Sequence, residues 1–132
     1  MIGLDTNILL RLTLQDETNQ SRLALSLVDA LTPEKPGFVN SAVLLEFIWT
    51  ARRQAKMSRD ELKRILSGFL DSDNLVLEDE NVIELALDEM ERSDEEFADI
   101  FIALKNRELG CSTTMTFDKR AASRVPGMEL FA

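Results

Sequence analysis

The stretch Ile2-Gly3-Leu4-Asp5-Thr6-Asn7-Ile8-Leu9-Leu10 decides the fold. With Met1, its first residues make a short apolar run that reads as a buried strand. Asp5, Thr6 and Asn7 follow at once. All three residue types favour helix N-termini, because their side-chain oxygens accept from amides the first turn leaves unpaired. The expectation is a strand, an acid at its carboxyl end, and a helix through Leu12.

The same order recurs along the chain. Thr18 to Leu31 carries Leu23, Leu27, Ala30 and Leu31 at helical spacing, and Thr32 to Gly37 is a turn cluster. Phe38-Val39-Asn40 is a short strand, after which Ser41 is expected to cap a helix reaching about Lys56. Ser58 and Glu61 form a capping box for a helix from Arg59 to Leu70. Leu75 to Leu77 reads as a strand and Glu80 to Arg92 as an amphipathic helix. A further helix from Glu95 to Leu109 ends at Gly110, a suitable C-cap. Ser112 to Phe117 is a strand, Lys119 to Arg124 a short helix, and Met128 to Phe131 a last edge strand. Strands alternating with helices predict an α/β fold with a parallel sheet covered on both faces. Ligands bind such sheets at the carboxyl ends of the strands. Asp5 and Asp118 fall just past the first and fourth strands, and Glu46 begins the second turn after the second strand.

Bulk properties narrow the class. The 132 residues suit one domain, and 45% hydrophobic with 30% charged residues is the profile of a soluble globular protein. No apolar run approaches the roughly 18 residues a membrane span needs. The N-terminus lacks a basic start and a small-residue cleavage site, so a cytoplasmic protein is expected. The single cysteine, Cys111, excludes an internal disulfide and reads as a buried strand residue. Residues 71 to 99 hold 13 of the 24 acids and one base, Arg92, so the net charge of -9 is concentrated there. Most of that stretch reads as a solvated helix face. With no histidine, a Ser-His-Asp triad and an imidazole-pair ribonuclease are both excluded. No glycine-rich nucleotide loop is present.

Three acids lie inside apolar runs: Asp5, Glu46 within Ala42 to Trp49, and Asp99 within Phe97 to Leu104. A buried ionised carboxylate must be paired, neutralised or bound to metal. Each has a plainer reading: a helix cap for Asp5, an exposed helix position for Glu46, a structural acid bonded to backbone amides for Asp99. Thr116-Phe117-Asp118-Lys119-Arg120 adds a fourth acid, which a strand delivers to its carboxyl end, with helix capping as its plain alternative. Asp94 caps its helix or supplies a fifth carboxylate. Oxygen donors without His or Cys suit Mg²⁺ or Mn²⁺ rather than zinc. Metal-assisted phosphodiester hydrolysis is the chemistry such a set points to.

Asp5-Thr6-Asn7 after the first strand, Glu46 after the second, Phe97-Ala98-Asp99 opening an apolar helix, and Thr116-Phe117-Asp118 near the C-terminus resemble the acidic motifs of PIN domains. Their order and spacing are similar to those of VapC-type toxins of toxin–antitoxin pairs. The resemblance implies a three-layer α/β/α fold with a central, mostly parallel sheet of four to five strands. It implies a Mg²⁺- or Mn²⁺-dependent endoribonuclease and a homodimer, for which Leu44, Leu45 and Ile48 offer an apolar face. Its metal-binding, catalytic quartet maps onto Asp5, Glu46, Asp99 and Asp118. Thr6, Asn7 and Thr116 would support that quartet. Arg11, Arg53, Lys56, Lys119 and Arg120 are candidates for phosphate contact, with ordinary solvated charge as the alternative for each. The partners implied are RNA and a small VapB-like antitoxin. A non-catalytic RNA- or partner-binding protein and another metal-dependent phosphoesterase are the rival readings.

Overall fold

The computed structural model describes residues 1–14 and 18–132, with the side chain of Thr18 left aside. The chain divides into two compact units, Met1–Glu80 and Asn81–Ala132. Each carries its own parallel ladder.

In the first unit the order is β1 (Ile2–Gly3), α1 (Thr6–Leu14), α2 (Thr18–Asp29), β2 (Gly37–Val39), α3 (Ser41–Arg53), α4 (Arg59–Asp71) and β3 (Leu75–Leu77). The strands form a parallel sheet in the order β1-β2-β3, with Ile2 opposite Gly37 and Gly37 opposite Leu75. Helix α1 packs on α2 and α3, and α4 packs on α3 and β3. Leu9, Val39, Leu44, Phe47, Ile48, Leu62 and Leu66 are buried, and the rings of Phe47 and Phe69 meet at 5.9 Å. Because Leu44 and Ile48 belong to this core, they offer no face to a second copy. The large exposed apolar residue of α3 is Trp49.

Local chemistry explains the helix boundaries. Asn40, not Ser41, is the N-cap of α3, its side chain accepting from the Val43 amide at 2.8 Å. Ser41 instead uses its amide to reach Glu78 Oε1 at 2.8 Å, and its hydroxyl donates to Asp79. Two acids just past β3 thus hold the start of α3, where the unpaired amides favour negative charge. The helix stops at Arg53, short of Lys56, because Lys56 has φ 57 and a left-handed residue cannot continue a right-handed helix. Ser58 caps α4 by accepting from the Glu61 amide at 3.0 Å, as expected.

The second unit contains α5 (which starts at the boundary and runs Glu80–Arg92), α6 (Phe97–Glu108), β4 (Thr114–Thr116), α7 (Lys119–Arg124) and β5 (Met128–Leu130). On α5, Val82, Ile83, Ala86 and Met90 are buried while Glu84, Asp88 and Glu91 are exposed. The acid-rich stretch is therefore largely a solvated helix face, as its amphipathic spacing predicts. Strands β4 and β5 pair in parallel with Thr114 opposite Met128, and α7 packs on both. Gly127, with φ 91, turns the chain from α7 into β5, and its carbonyl accepts from the Thr114 amide at 2.9 Å.

Three expectations need correction. The five strands form a three-stranded and a two-stranded parallel ladder, rather than one sheet of four to five. Strand pairing is a long-range choice that strand spacing does not encode. β1 is exposed at Ile2 and Gly3, and only Leu4 beyond it is buried, because β1 is an edge of its ladder. Cys111 is exposed and precedes β4, since that strand starts only at Thr114. Among the described residues no helix is long and apolar enough to cross a membrane.

Gly37 lies where β1 and β3 both pair with β2, and a Cβ there would sit 2.8 Å from Leu4 Cδ1 and 3.0 Å from Leu31 Cδ1. Both leucines are buried, so neither yields freely. Gly37→Ala is expected to lower unfolding free energy by about 1–3 kcal/mol, the usual cost of overpacking. A urea titration measures it, and an unchanged midpoint would contradict this packing.

Candidate functional site

In the first unit, parallel pairing of β1 and β2 sends both strands to the same edge, where the helices that follow them are linked by a bond between Thr6 and Glu46. Asp5 stands between β1 and α1, and its Oδ1 accepts from the Thr6 amide at 2.8 Å. Its carbonyl accepts from the Ile8 amide at 3.1 Å. Glu46 lies in the second turn of α3. The Thr6 hydroxyl donates to Glu46 Oε1, tying the start of α1 to α3. Thr6 is buried at 5% exposure, so the donor is held rigidly while the carboxylate it grips is exposed. Asn7 is exposed beside them, as is Arg53 at the end of α3.

In the second unit, Asp99 occupies the first turn of α6 and is half-buried. An acid three residues into a helix is favoured by the amides at its start. The helix begins two residues later than expected, at Phe97. Its N-cap residue is Glu96, whose side chain makes no capping bond, and Asp94 is exposed outside it. Asp94 therefore does not cap α6. Asp118 does cap α7: its Oδ1 accepts from the Ala121 amide at 3.0 Å. Thr116 accepts from the Asp118 amide at 3.0 Å through Oγ1, fixing the backbone that presents the acid. Nearby, Asn106 Nδ2 donates to Thr114 Oγ1 at 2.9 Å and joins α6 to β4.

Of the three acids expected to be buried, Asp5 and Glu46 are not, and Asp99 is only partly so. Asp118 is exposed as well. Apolar neighbours in sequence do not bury a helical acid, because each successive side chain rotates away from the last. Among the described residues the buried acid is Glu95, at 6% exposure, and Arg120 Nη2 reaches its Oε1 at 3.5 Å. Arg120 stays largely exposed even so, as does Lys119 beside it. Sequence offered no signal for Glu95, which sits between two other acids, Asp94 and Glu96.

Among the described residues, neither unit by itself gathers three or more Asp, Glu or Cys side chains into a group that could hold a metal ion. Each unit brings two of the four acids. Their donors are all carboxylate oxygens, which suit a hard cation. Capping engages one oxygen of Asp118 and the Thr6 hydroxyl one oxygen of Glu46, and a carboxylate has two.

The family model of the PIN domain matches residues 2–127, which takes in both units and all four acids. A search of curated proteins found no match.

The cap and the charge of Asp118 can be separated. Asn caps as well as Asp, whereas Ala does not. Asp118→Ala should cost about 1 kcal/mol of stability and Asp118→Asn close to none. Thermal unfolding of the two variants checks this, and equal losses would show that the Ala121 bond contributes nothing.

Proposed function

The chain belongs to the PIN domain family, and on that premise we propose that it is a metal-dependent endoribonuclease, the toxin of a VapBC-type pair. PIN domains are in general nucleases. The observation that carries the proposal is that the family match runs unbroken across Asp5, Glu46, Asp99 and Asp118.

The four carboxylates would hold Mg²⁺ or Mn²⁺, ions that favour oxygen ligands and keep several waters. Bound there, the ion would supply Lewis acidity toward the phosphodiester and lower the pKa of an attacking water. The chain's own residues do the positioning. Thr6 restrains one oxygen of Glu46, and Thr116 fixes the backbone from which Asp118 projects. Asn7 orients waters or carboxylates at the same edge. Arg53 and Lys119, both exposed, contact phosphate and hold the strand in register. Arg120 contributes less, because it is shared with Glu95. A homodimer, a small VapB-like antitoxin and a cytoplasmic setting belong to the same reading.

The test is cleavage of a structured RNA with Mn²⁺, with and without EDTA. Cleavage is expected only with the metal and is expected to fall to background in Asp99→Asn. Cleavage that persists in EDTA and in that variant would overturn the proposal. RNA binding without any cleavage would favour a non-catalytic binding protein instead.

Thr6→Val keeps the shape of the side chain and removes the hydroxyl. Activity should fall about 10- to 100-fold, the usual loss when the partner of a metal ligand is removed. Stability should change by no more than about 1 kcal/mol, since the freed Glu46 oxygen is exposed to water. Unchanged cleavage would mean that Thr6 does not position Glu46.

A further inference from the structure

We propose that Phe117 and Phe131 form a stacking platform for an unpaired nucleobase of the RNA presented to Asp118; the inference rests on the nuclease reading above and adds to it a base-binding subsite built from these two rings. Phe117 and Phe131 are each the first residue beyond a strand. Thr116 is opposite Leu130 in the β4–β5 ladder, so the two phenylalanines leave their strands side by side. The Phe131 amide donates to the Thr116 carbonyl at 2.9 Å and locks that juxtaposition. The ring centroids are 5.8 Å apart and the planes are tilted by 39°.

Neither ring serves the core. Phe117 is 81% exposed and Phe131 55%, and Met115, two residues before Phe117 on the same face of β4, is 53% exposed. Three adjacent large apolar side chains in water mark a surface that something covers. Charge selects the occupant. Helix α7 begins directly after Asp118 and carries Lys119 and Arg124, with Arg120 shared with Glu95, and no acid, in a chain of net charge -9. Exposed aromatic faces beside a basic segment are the combination that binds single-stranded nucleic acid, by stacking bases and attracting backbone phosphates. A base inside a duplex is stacked on both sides and cannot lie on such a platform, whereas an unpaired base can. Phe117 is bonded directly to Asp118. A base held on its ring therefore brings its own phosphates to the acid's side of the strand end.

The experiment uses the full chain and short oligoribonucleotides carrying 2-aminopurine, single-stranded or annealed to a complement, with Ca²⁺ in place of Mg²⁺ or Mn²⁺ to hold back hydrolysis. The wild type should bind the single strand and quench the probe. Phe117→Ala should weaken that binding about 5- to 100-fold and abolish the quenching, in keeping with the loss of one stacked base. Phe131→Ala should act in the same direction, and Phe117→Tyr should restore binding to near wild type. Duplex affinity should be the same for all four proteins. The proposal is overturned if Phe117→Ala binds the single strand as the wild type does, or if the wild type shows no saturable binding. It is also overturned if the alanine variants lose self-association in sedimentation while keeping RNA affinity, which would make the patch a contact with a second copy. Cleavage with Mn²⁺, measured alongside, separates the two readings. Phe117-dependent binding without cleavage leaves the platform and removes the nuclease; cleavage with unaltered affinity in Phe117→Ala does the reverse.

Discussion

Parallel pairing of β1 with β2 is the constraint on which the first unit's chemistry depends. Parallel strands end at the same edge, so the helices that follow them begin there together. Asp5 and Thr6 open α1, and α3 brings Glu46 past the same edge one and a half turns after its cap. The hydroxyl of Thr6 then spans from one helix to the other. Were the strands antiparallel, the two helix starts would lie at opposite edges and this bond could not form. Gly37 makes the close pairing possible, because Leu4 and Leu31 already fill the space a side chain would need.

Three of the four candidate acids stand at or near helix starts, and this gives them a structural use. Asp118 caps α7, Asp5 accepts from the first amide of α1, and Asp99 lies in the first turn of α6. Unpaired amides at a helix start favour a carboxylate. The bonds from the Thr6 and Ala121 amides to Asp5 and Asp118 engage one carboxylate oxygen of two. Exposure is an advantage for a hard cation, which gives up its water reluctantly and keeps part of its shell. A deeply buried carboxylate set would have to strip that shell at much greater cost.

The distribution of charge follows a similar logic. Much of the negative charge sits on the outer face of α5, where water screens it and where no candidate acid lies. The bases of α7 stand next to Asp118 instead. A chain with net charge -9 can therefore still offer an anion a local site, since over a few ångströms the near charges dominate.

Much was legible in the sequence because it rests on local chemistry. Capping residues, helical spacing and short apolar runs located every helix and strand among the described residues, with α4 and α5 placed to within a residue at each end. The four acids and their threonine neighbours were singled out by type and position, and the PIN family match spans the stretch in which they lie. What the sequence could not determine was which groups meet across long separations. That includes the division of five strands into two ladders, the Thr6–Glu46 bond, the hold of Glu78 and Asp79 on the start of α3, and the burial of Glu95. The reason is physical: caps and helical periodicity are decided within a few residues, whereas pairing, burial and side-chain contact depend on where distant segments pack.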